Sequence, residues 1–482
     1  MTGKPLGRRA LLKAGLGAAA MGIVAPMGME GLLESAGAAT KSRLRQPGSL
    51  PYPGLPVGQY TGAFYFDHIV IVMQENHSFD NYLGMLPRCG QPKADGFTFN
   101  RKGEPVNWNP IGKERMYVYH QAGEDGATET GSQNWNDSHE QINHGAMDGF
   151  ARTGRGSMGY YTEDDLPFYY SLARTFTLAN RWFASVPAQT YPNRRFLMAG
   201  TASGVVSTDL NTVGVRPAAG TIWDRLSAHN IGWKNYFTDL PTSAIIDYTV
   251  TSHPSNYARI EEFYADAAAG NLPSVSLVDC DYGALTGEAG GQLSAPTFGS
   301  TPGAVLNTTA ESEENPQNVQ LGEAFVSRVV NAVMSGPAWH RTLLLWTYDE
   351  HGGYYDHVAP PAALAPDAIP PQIKKTDYPG GYNLLGPRVP AVVVSPYARR
   401  NDVTNKVHDH TSVLATIEAQ WNLPALTWRD ANAATMSDFL DMSRMHFAEP
   451  PTLVAPADPA PGLVAGYKGQ PAPPPPSATK PK

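Results

Sequence analysis

The feature that most restricts the fold is the strand-like segment close to the start of the chain at residues 67–73 (Asp-His-Ile-Val-Ile-Val-Met), whose last five residues form an uninterrupted apolar run. A strand with one wet face alternates apolar and polar residues, whereas a continuous β-branched run is typical of a strand buried on both faces. Strands of that kind occur in parallel sheets that helices cover on each side. The run therefore predicts an α/β protein.

The remainder of the chain alternates helix-like and strand-like segments in agreement with that prediction. Helices are predicted at 222–229, 261–269, 323–334 and 411–421, and strands at 231–237, 274–279, 342–348 and 390–395. Asp409 is a candidate cap for the last helix. Residues 88–135 are rich in turn formers and are expected to form an irregular insertion. The pattern predicts an open, mostly parallel sheet with helices on both faces.

The two ends of the chain have a different composition. Residues 1–38 begin with basic residues, carry Arg8-Arg9 in a stretch that resembles a twin-arginine box, and end in small residues that suit cleavage. We expect export by the twin-arginine machinery to the periplasm or beyond; an amphipathic N-terminal helix is the alternative. Residues 39–448 are predicted to form one large domain, and the proline-rich residues 449–482 a disordered tail.

Charge and cysteine content exclude some classes of function. The formal net charge is −8, which gives a nucleic-acid partner no electrostatic support. No run after the leader has the roughly 18 apolar residues of a membrane span, so we expect no integral membrane association. The two cysteines, Cys89 and Cys280, are too few for a cysteine-based zinc site, and whether they pair is left open.

Acidic and amide side chains follow two of the predicted strands. Glu75 and Asn76 come after the strand at 67–73, and Asp349 and Glu350 after the strand at 342–348. Ligands of open parallel sheets bind beyond the carboxyl ends of the strands, and oxygen donors suit a hard divalent cation. One such pair alone is as well explained by a solvated loop or a helix cap. Two pairs on separate strands favour a site for one divalent metal ion of unknown identity.

A hydroxyl at the start of a predicted helix is the third chemical feature. Thr190 stands just before Pro192, a residue favoured in the first helical turn, so its hydroxyl lies among unpaired amide N–H groups that attract phosphate. Thr190 is therefore a candidate metal-activated nucleophile, and Arg194 or Arg195 a candidate phosphate clamp. An ordinary N-cap is the competing interpretation of Thr190.

Five segments in order make the chain recognisable: residues 68–80, 147–150, 190–194, 348–358 and 409–412. Over roughly residues 64–425 the chain resembles the bacterial phosphoesterase family that contains non-specific phospholipases C and secreted acid phosphatases. The resemblance implies an alkaline-phosphatase-like α/β fold. It also implies metal ligation by Glu75, Asn76, Asp349 and Glu350, and covalent phosphorylation of Thr190. A threonine at that position is similar to the phospholipase branch, whereas the acid phosphatases tend to have serine.

Two positions depart from the family pattern. His77 stands where the family usually has arginine, and Asn315 stands where it tends to have a histidine that is expected near the leaving group. Other histidines then become candidates for the proton donor: His139, which matches a family position, and His357 and His410, each of which follows an aspartate. The residues expected to contact substrate, in addition to the nucleophile and metal, are Arg194, Asn193 and His351.

Together these features predict metal-dependent hydrolysis of phosphate esters through a phosphothreonine. The favoured reaction is phospholipase C-type cleavage of a phosphodiester, with a phosphate ester or phospholipid as substrate. An acid phosphatase that acts on monoesters is the first alternative. The second is a non-catalytic protein that binds phosphate or lipid head groups, which Asn315 keeps open.

Overall fold

An eight-stranded sheet lies at the centre of the computed structural model, which describes residues 44–121, 123, 129–283, 310–315 and 317–457. The leader predicted at 1–38 lies outside these residues. In chain order the strands are β1 His68–Gln74, β2 Thr177–Ala179, β3 Trp233–Phe237, β4 Tyr257–Arg259, β5 Val275–Asp279, β6 Thr342–Tyr348, β7 Ala391–Val394 and β8 Asp402–Thr404.

The strands lie side by side in the order β8-β2-β7-β6-β1-β5-β3-β4. Neighbours are parallel except around β7, which runs antiparallel to both β6 and β2. The mostly parallel α/β sheet predicted from the sequence is confirmed. The direction of β7 was not predicted, because an apolar strand has the same composition in either direction.

The apolar run that opened the sequence argument is the central strand β1, between β6 and β5. Ile69, Val70, Ile71 and Val72 are each at most 1% exposed. Since successive side chains of a strand point to opposite faces, both faces of the sheet are covered here.

Eleven α-helices are assigned among the described residues: α1 Phe79–Leu83, α2 Trp135–Ile142, α3 Phe150–Thr153, α4 Pro167–Thr175, α5 Thr190–Ala199, α6 Ile222–Ala228, α7 Tyr248–Ser252, α8 Ile260–Ala269, α9 Val319–Ser335, α10 Thr411–Trp421 and α11 Trp428–Asn432. Helix α9 begins four residues earlier than predicted, because the Asn318 side chain accepts a hydrogen bond from the N–H of Gln320 and caps the helix there. Asp409 does act at the start of α10, where its carboxylate accepts the N–H of Thr411 at 3.1 Å.

The insertion at 88–135 is less irregular than predicted. It contains a two-stranded hairpin, Trp108–Ile111 with Glu114–Tyr117, and a short strand Tyr119–His120 that pairs with Gly159–Tyr160. Cys89 and Cys280 are both free thiols. Among the described residues, no helix is long and apolar enough to cross a bilayer.

The beginning of the proline-rich tail packs on the domain. The Val454 N–H donates to Ser171 Oγ at 3.0 Å, and the Ala457 N–H donates to a carboxylate oxygen of Glu323 at 3.1 Å. Leu453 packs against the main core. The predicted disorder is therefore wrong for residues 449–457, where an apolar side chain and two backbone donors find partners that composition does not reveal.

Candidate active site

The ends of β1 and β6 bring the four predicted metal ligands together. The two strands are parallel neighbours with Gln74 opposite Tyr348, so the residues that follow them leave the sheet side by side. The side chains of Glu75, Asn76, Asp349 and Glu350 are all at most 1% exposed. The Asn76 N–H donates to Asp349 Oδ1 at 3.2 Å, which links the two strand ends directly.

Two glycines allow the loop after β6 to lie on its neighbours. Gly352 has a φ of +62°, and a Cβ placed there would lie 1.9 Å from the carbonyl oxygen of Asn76. Gly353 has a φ of +77°, and its Cβ would lie 1.8 Å from the carbonyl oxygen of Gly131. A side chain at Gly352 would therefore push the loop after β6 away from the end of β1, and one at Gly353 would push it away from the insertion.

Thr190 is the first residue of α5, as the sequence predicted, and it faces the acidic cluster. Its hydroxyl donates to Glu75 Oε1 at 3.1 Å, and the residue is only 1% exposed. The preceding loop is held by Asn193, whose amide binds the backbone of Val186, Ala188 and Gln189. Asn193 was predicted to contact substrate; its amide is instead fully used in fixing the segment that presents Thr190.

Arg194 is also committed within the protein. Its Nε donates to Asp349 Oδ2 at 3.0 Å, and its other nitrogens donate to the carbonyls of Met73 and Gln74 at 3.4 and 3.3 Å. It lies over the ring of Tyr282 at 5.4 Å and is 1% exposed. The predicted phosphate clamp thus ties α5 to the end of β1 and balances one carboxylate of the cluster.

The acidic cluster has more negative groups than Arg194 can balance. Burial, together with the charges of Glu314 and Asp349, raises the pKa of Glu75 well above its usual range. Burial and Asp349 likewise raise the pKa of Glu350. Glu75 Oε2 and Glu350 Oε1 are buried and accept no hydrogen bond from any residue that the structure describes. These are hard oxygen donors without partners, so the cluster fits a divalent cation.

His351 and Gln141 form the wall beside the cluster. The His351 Nε2–H donates to Gln141 Oε1 at 2.7 Å, and Nδ1 lies 3.4 Å from Glu350 Oε2. Burial lowers the pKa of His351 to about 3, so its ring is neutral. His351, in the loop after β6, therefore borders the metal-type cluster and joins it to Gln141 of helix α2, a contact that the sequence did not reveal.

The three histidines proposed as proton donors have different environments. His410 Nε2 donates to the backbone carbonyl of Asp349 at 2.7 Å, and Trp182 Nε1 lies 3.4 Å from Nδ1. Both ring nitrogens are thus occupied, and His410 supports the strand end that carries Asp349. His139 Nδ1 donates to the Trp135 carbonyl at 2.6 Å, and burial lowers its pKa. The Nε2 of His139 makes no hydrogen bond to a described residue.

His357 belongs to a separate ion network. Its Nδ1 lies 2.6 Å from Asp80 Oδ2. Asp80, Asp356 and His357 offer ligand atoms within 4.8 Å of one another, which would suit a metal ion. Arg388 already supplies a cation there, with Nε 2.9 Å from Asp356 Oδ1 and Nη2 3.1 Å from Asp80 Oδ1. Burial opposes protonation of His357, but Asp80 and Asp95 outweigh it and raise its pKa to about 10.

The segment 311–315 contains site residues that sequence reasoning missed. Glu314 is close enough to raise the pKa of Glu75, and Glu313 is fully buried and accepts hydrogen bonds from three hydroxyls and one amide, those of Tyr82, Tyr169, Tyr348 and Gln74. The run of three glutamates at 311, 313 and 314 was the only available signal. Glu313 has a φ of +69°, which its many partners hold in place.

The two departures from the family pattern meet in this segment. His77 Nε2 donates to the Glu313 carbonyl at 2.9 Å, and its ring stacks on Tyr354 with centroids 4.9 Å apart. The Tyr354 hydroxyl donates to Asn315 Oδ1 at 2.5 Å. The side chain of Asn315 therefore points its amide group towards Gly352, with Nδ2 3.4 Å from that carbonyl.

Comparison with known proteins identifies relatives along most of the chain. "Non-hemolytic phospholipase C" of Burkholderia pseudomallei is 30% identical over 81% of this chain, and the match spans 61% of the relative. "Non-specific phospholipase C6" of Arabidopsis thaliana is 28% identical over 77% of this chain and 71% of the relative. "Phospholipase C A" of Mycobacterium tuberculosis is 29% identical, covering 81% and 79%.

Among solved structures, a protein of the alkaline phosphatase superfamily from Vibrio parahaemolyticus is similar, with 10% identity, a TM-score of 0.33, and coverage of 72% of this chain and 77% of that one. The model of the Phosphoesterase family matches residues 66–424, which include both strand ends and helix α5. The chain therefore belongs to the Phosphoesterase family.

Proposed function

We propose that this protein hydrolyses phosphate esters through a phosphorylated Thr190, with phospholipase C-type cleavage of a phosphodiester as its main reaction. The observation that carries the proposal is the Thr190 hydroxyl at the amino end of α5, 3.1 Å from Glu75 in a buried carboxylate cluster. Relatives that are 28–30% identical are named phospholipases C, which supports the phosphodiester as substrate class.

The chain itself orients the nucleophile. Glu75 accepts the hydroxyl hydrogen bond and so fixes the direction of the oxygen, and Thr190 stands at the amino end of α5, where the helix dipole favours a negatively charged phosphate. Attack of the Thr190 oxygen on phosphorus forms a phosphothreonine and releases the alcohol, and water then cleaves the phosphothreonine. A divalent cation held by Glu75, Asn76, Asp349 and Glu350 would lower the pKa of the hydroxyl and offset the phosphate charge.

The departing alcohol oxygen needs a proton, and His139 is our choice of donor. Its Nδ1–H donates to a backbone carbonyl, so His139 acts as the acid in its imidazolium form, with the donated proton on Nε2, whereas both ring nitrogens of His410 have protein partners. His357 is held by Asp80 and Asp95 and is expected to stay charged at neutral pH.

A pair of substitutions at one atom tests the nucleophile. Thr190→Ala should abolish turnover of phosphatidylcholine and leave the metal content unchanged, while Thr190→Ser, which keeps a hydroxyl, should retain activity. Near-normal turnover by Thr190→Ala would show that the nucleophile is a different group.

The substrate class needs a separate comparison. Release of phosphocholine from phosphatidylcholine and of phosphate from an aryl monoester should be measured between about pH 5 and pH 8. Faster monoester cleavage would favour the acid phosphatase alternative. Binding of phosphocholine without any turnover, with each of several divalent metals, would favour the non-catalytic alternative.

We propose in addition that the chain is exported by the twin-arginine route. The basic start and Arg8-Arg9 support this. Replacing both arginines with lysine should keep the protein in the cytoplasm of a host that has this machinery.

A further inference from the structure

One face of the hairpin in the insertion carries exposed aromatic side chains. In the hairpin Trp108 lies opposite Tyr117, and Pro110 lies opposite Arg115. Trp108 is 39% exposed, Tyr117 48% and Tyr119 38%. The Arg115 guanidinium lies over the Trp108 ring at 4.4 Å. We call Trp108, Arg115, Tyr117 and Tyr119 the aromatic face.

The opposite face of the same hairpin is turned inward. Asn109 is 1% exposed, and Met116 packs against a small apolar cluster that includes Met147 and Phe150. Alternate residues of a strand point to opposite sides, so the inward residues anchor the hairpin while the aromatic face is left to solvent. A group of large aromatic rings exposed together on a fold often marks an interaction surface.

The anchor places the hairpin near the carboxyl end of the main sheet. Phe150, in the cluster beneath the hairpin, contacts the rings of His351 and Tyr355, with centroids 6.1 and 5.4 Å apart. Asn107, one residue before the hairpin, has its Nδ2 3.4 Å from the Tyr355 hydroxyl. His351 and Tyr355 belong to the loop that follows β6 and carries the acidic cluster. The aromatic face is therefore tied to the loop of the candidate active site.

The segment that carries the aromatic face has more basic than acidic side chains, unlike the chain as a whole; Glu129 near Tyr119 and Asp165, which pairs with His120, are acidic neighbours from other segments. The protein has a net charge of −8, yet residues 101–120 contain four basic side chains (Arg101, Lys102, Lys113 and Arg115) and two acidic ones (Glu104 and Glu114). All six side chains are exposed. Basic groups around aromatic rings complement an anionic lipid surface, where Trp and Tyr rings settle at the level of the head groups.

We propose that the aromatic face docks the enzyme on an anionic phospholipid surface, so that the active site opens towards the lipid. The inference rests on the proposed function, since a phospholipid substrate lies in such a surface. The aromatic face takes no part in the hydrolysis itself, so its role in docking can be tested by measuring binding alone.

Another exposed aromatic residue supplies a matched control. Tyr65 is 56% exposed and packs on Tyr397. Tyr65 lies two residues before Asp67, whose N–H donates to the Arg341 carbonyl. Both Asp67 and Arg341 directly precede their strands, β1 and β6, so Tyr65 lies at the end of the sheet opposite the acidic cluster. Removal of the Tyr65 ring therefore changes exposed aromatic area without changing the aromatic face.

The experiment is cosedimentation of the full chain with vesicles of phosphatidylcholine that contain about one-third phosphatidylglycerol. The wild type should sediment with the vesicles, and the Trp108→Ala, Tyr117→Ala double variant should bind about tenfold or more weakly. Tyr65→Ala should bind as the wild type does. Lys113→Glu should weaken binding at low salt and have little effect at high salt, since exposed charges are screened.

Activity on two substrates separates docking from chemistry. The double variant should lose hydrolysis of vesicle phosphatidylcholine and keep its rate on a water-soluble aryl phosphate ester, which also shows that it is folded. The proposal is overturned if the wild type does not bind vesicles, if the double variant binds equally well, or if Tyr65→Ala loses as much binding. A protein partner that requires Trp108, in the absence of vesicle binding, would also overturn it. Vesicle binding through this face by a protein that cleaves no ester would support the docking inference while refuting the proposed function.

Discussion

Arg388 should be among the most costly side chains to remove from this protein. The residue is 0% exposed, and its guanidinium binds two carboxylates that are also 0% exposed, those of Asp80 and Asp356. It also donates to the carbonyls of Asp95 and Asn180, at 3.0 and 3.1 Å, and lies over the ring of Phe79. The guanidinium thus joins the loop after β6 to helix α1 and the insertion.

The magnitude follows from what Arg388→Met would leave behind. Two buried carboxylates would lose their main counterion, with His357 as the remaining nearby cation, and two carbonyls would lose a donor. Breaking a buried ion pair by removing one partner costs about 3–5 kcal/mol of unfolding free energy. Arg388→Lys should be intermediate, because one ammonium group cannot reproduce the two-nitrogen contact with Asp356.

Chemical denaturation of the single and double variants measures this cost. If it arises from an unbalanced charge, Asp356→Asn should destabilise the wild type but cost at least about 1 kcal/mol less in the Arg388→Met background. A loss below about 1 kcal/mol for Arg388→Met would refute the reasoning. Equal costs of Asp356→Asn in the two backgrounds would refute it as well.

Three further predictions concern pH, helix capping and metal. The pKa of His357 is raised to about 10, so the stability that its charge provides is complete below about pH 6.5 and is lost as the pH rises through 10. Chemical denaturation at several pH values should therefore show that the difference in unfolding free energy between the wild type and His357→Gln decreases over that range. Glu323 accepts the N–H groups of Phe168 and Tyr169 in the first turn of α4, at 2.8 and 3.0 Å; Glu323→Ala should cost about 2–4 kcal/mol in thermal unfolding and Glu323→Gln clearly less, and equal losses would contradict a capping role. The raised pKa values of Glu75 and Glu350 mean that protons compete with a metal for these carboxylates as the pH falls. The metal retained after dialysis should therefore decrease from pH 8 to pH 5, and a chelator should lower the melting temperature. Metal retention that does not change with pH would contradict this site.

Local sequence patterns were sufficient for the class of fold and for the location of the chemistry. The apolar residues 69–73 of β1 are buried on both faces as their composition predicts, because a continuous β-branched strand can bury its apolar side chains only between two layers of helices. Residues that directly follow β1 and β6 were expected at one edge of the sheet, since parallel strands end there, and the structure makes the two strands neighbours. The position of Thr190 at the start of a helix also followed from its neighbours in the chain.

The partner of each polar side chain depended on the folded chain. Arg194, Asn193 and His410 were predicted to act on substrate, and each is engaged by protein groups distant in the chain or by the loop beside it. The direction of β7 and the packing of residues 449–457 could not be predicted from the sequence either. Residue type and spacing predict which side chains are buried and which local conformation a short segment adopts. Hydrogen-bond partners depend on which distant segments become neighbours in the folded chain, and only the tertiary structure determines that.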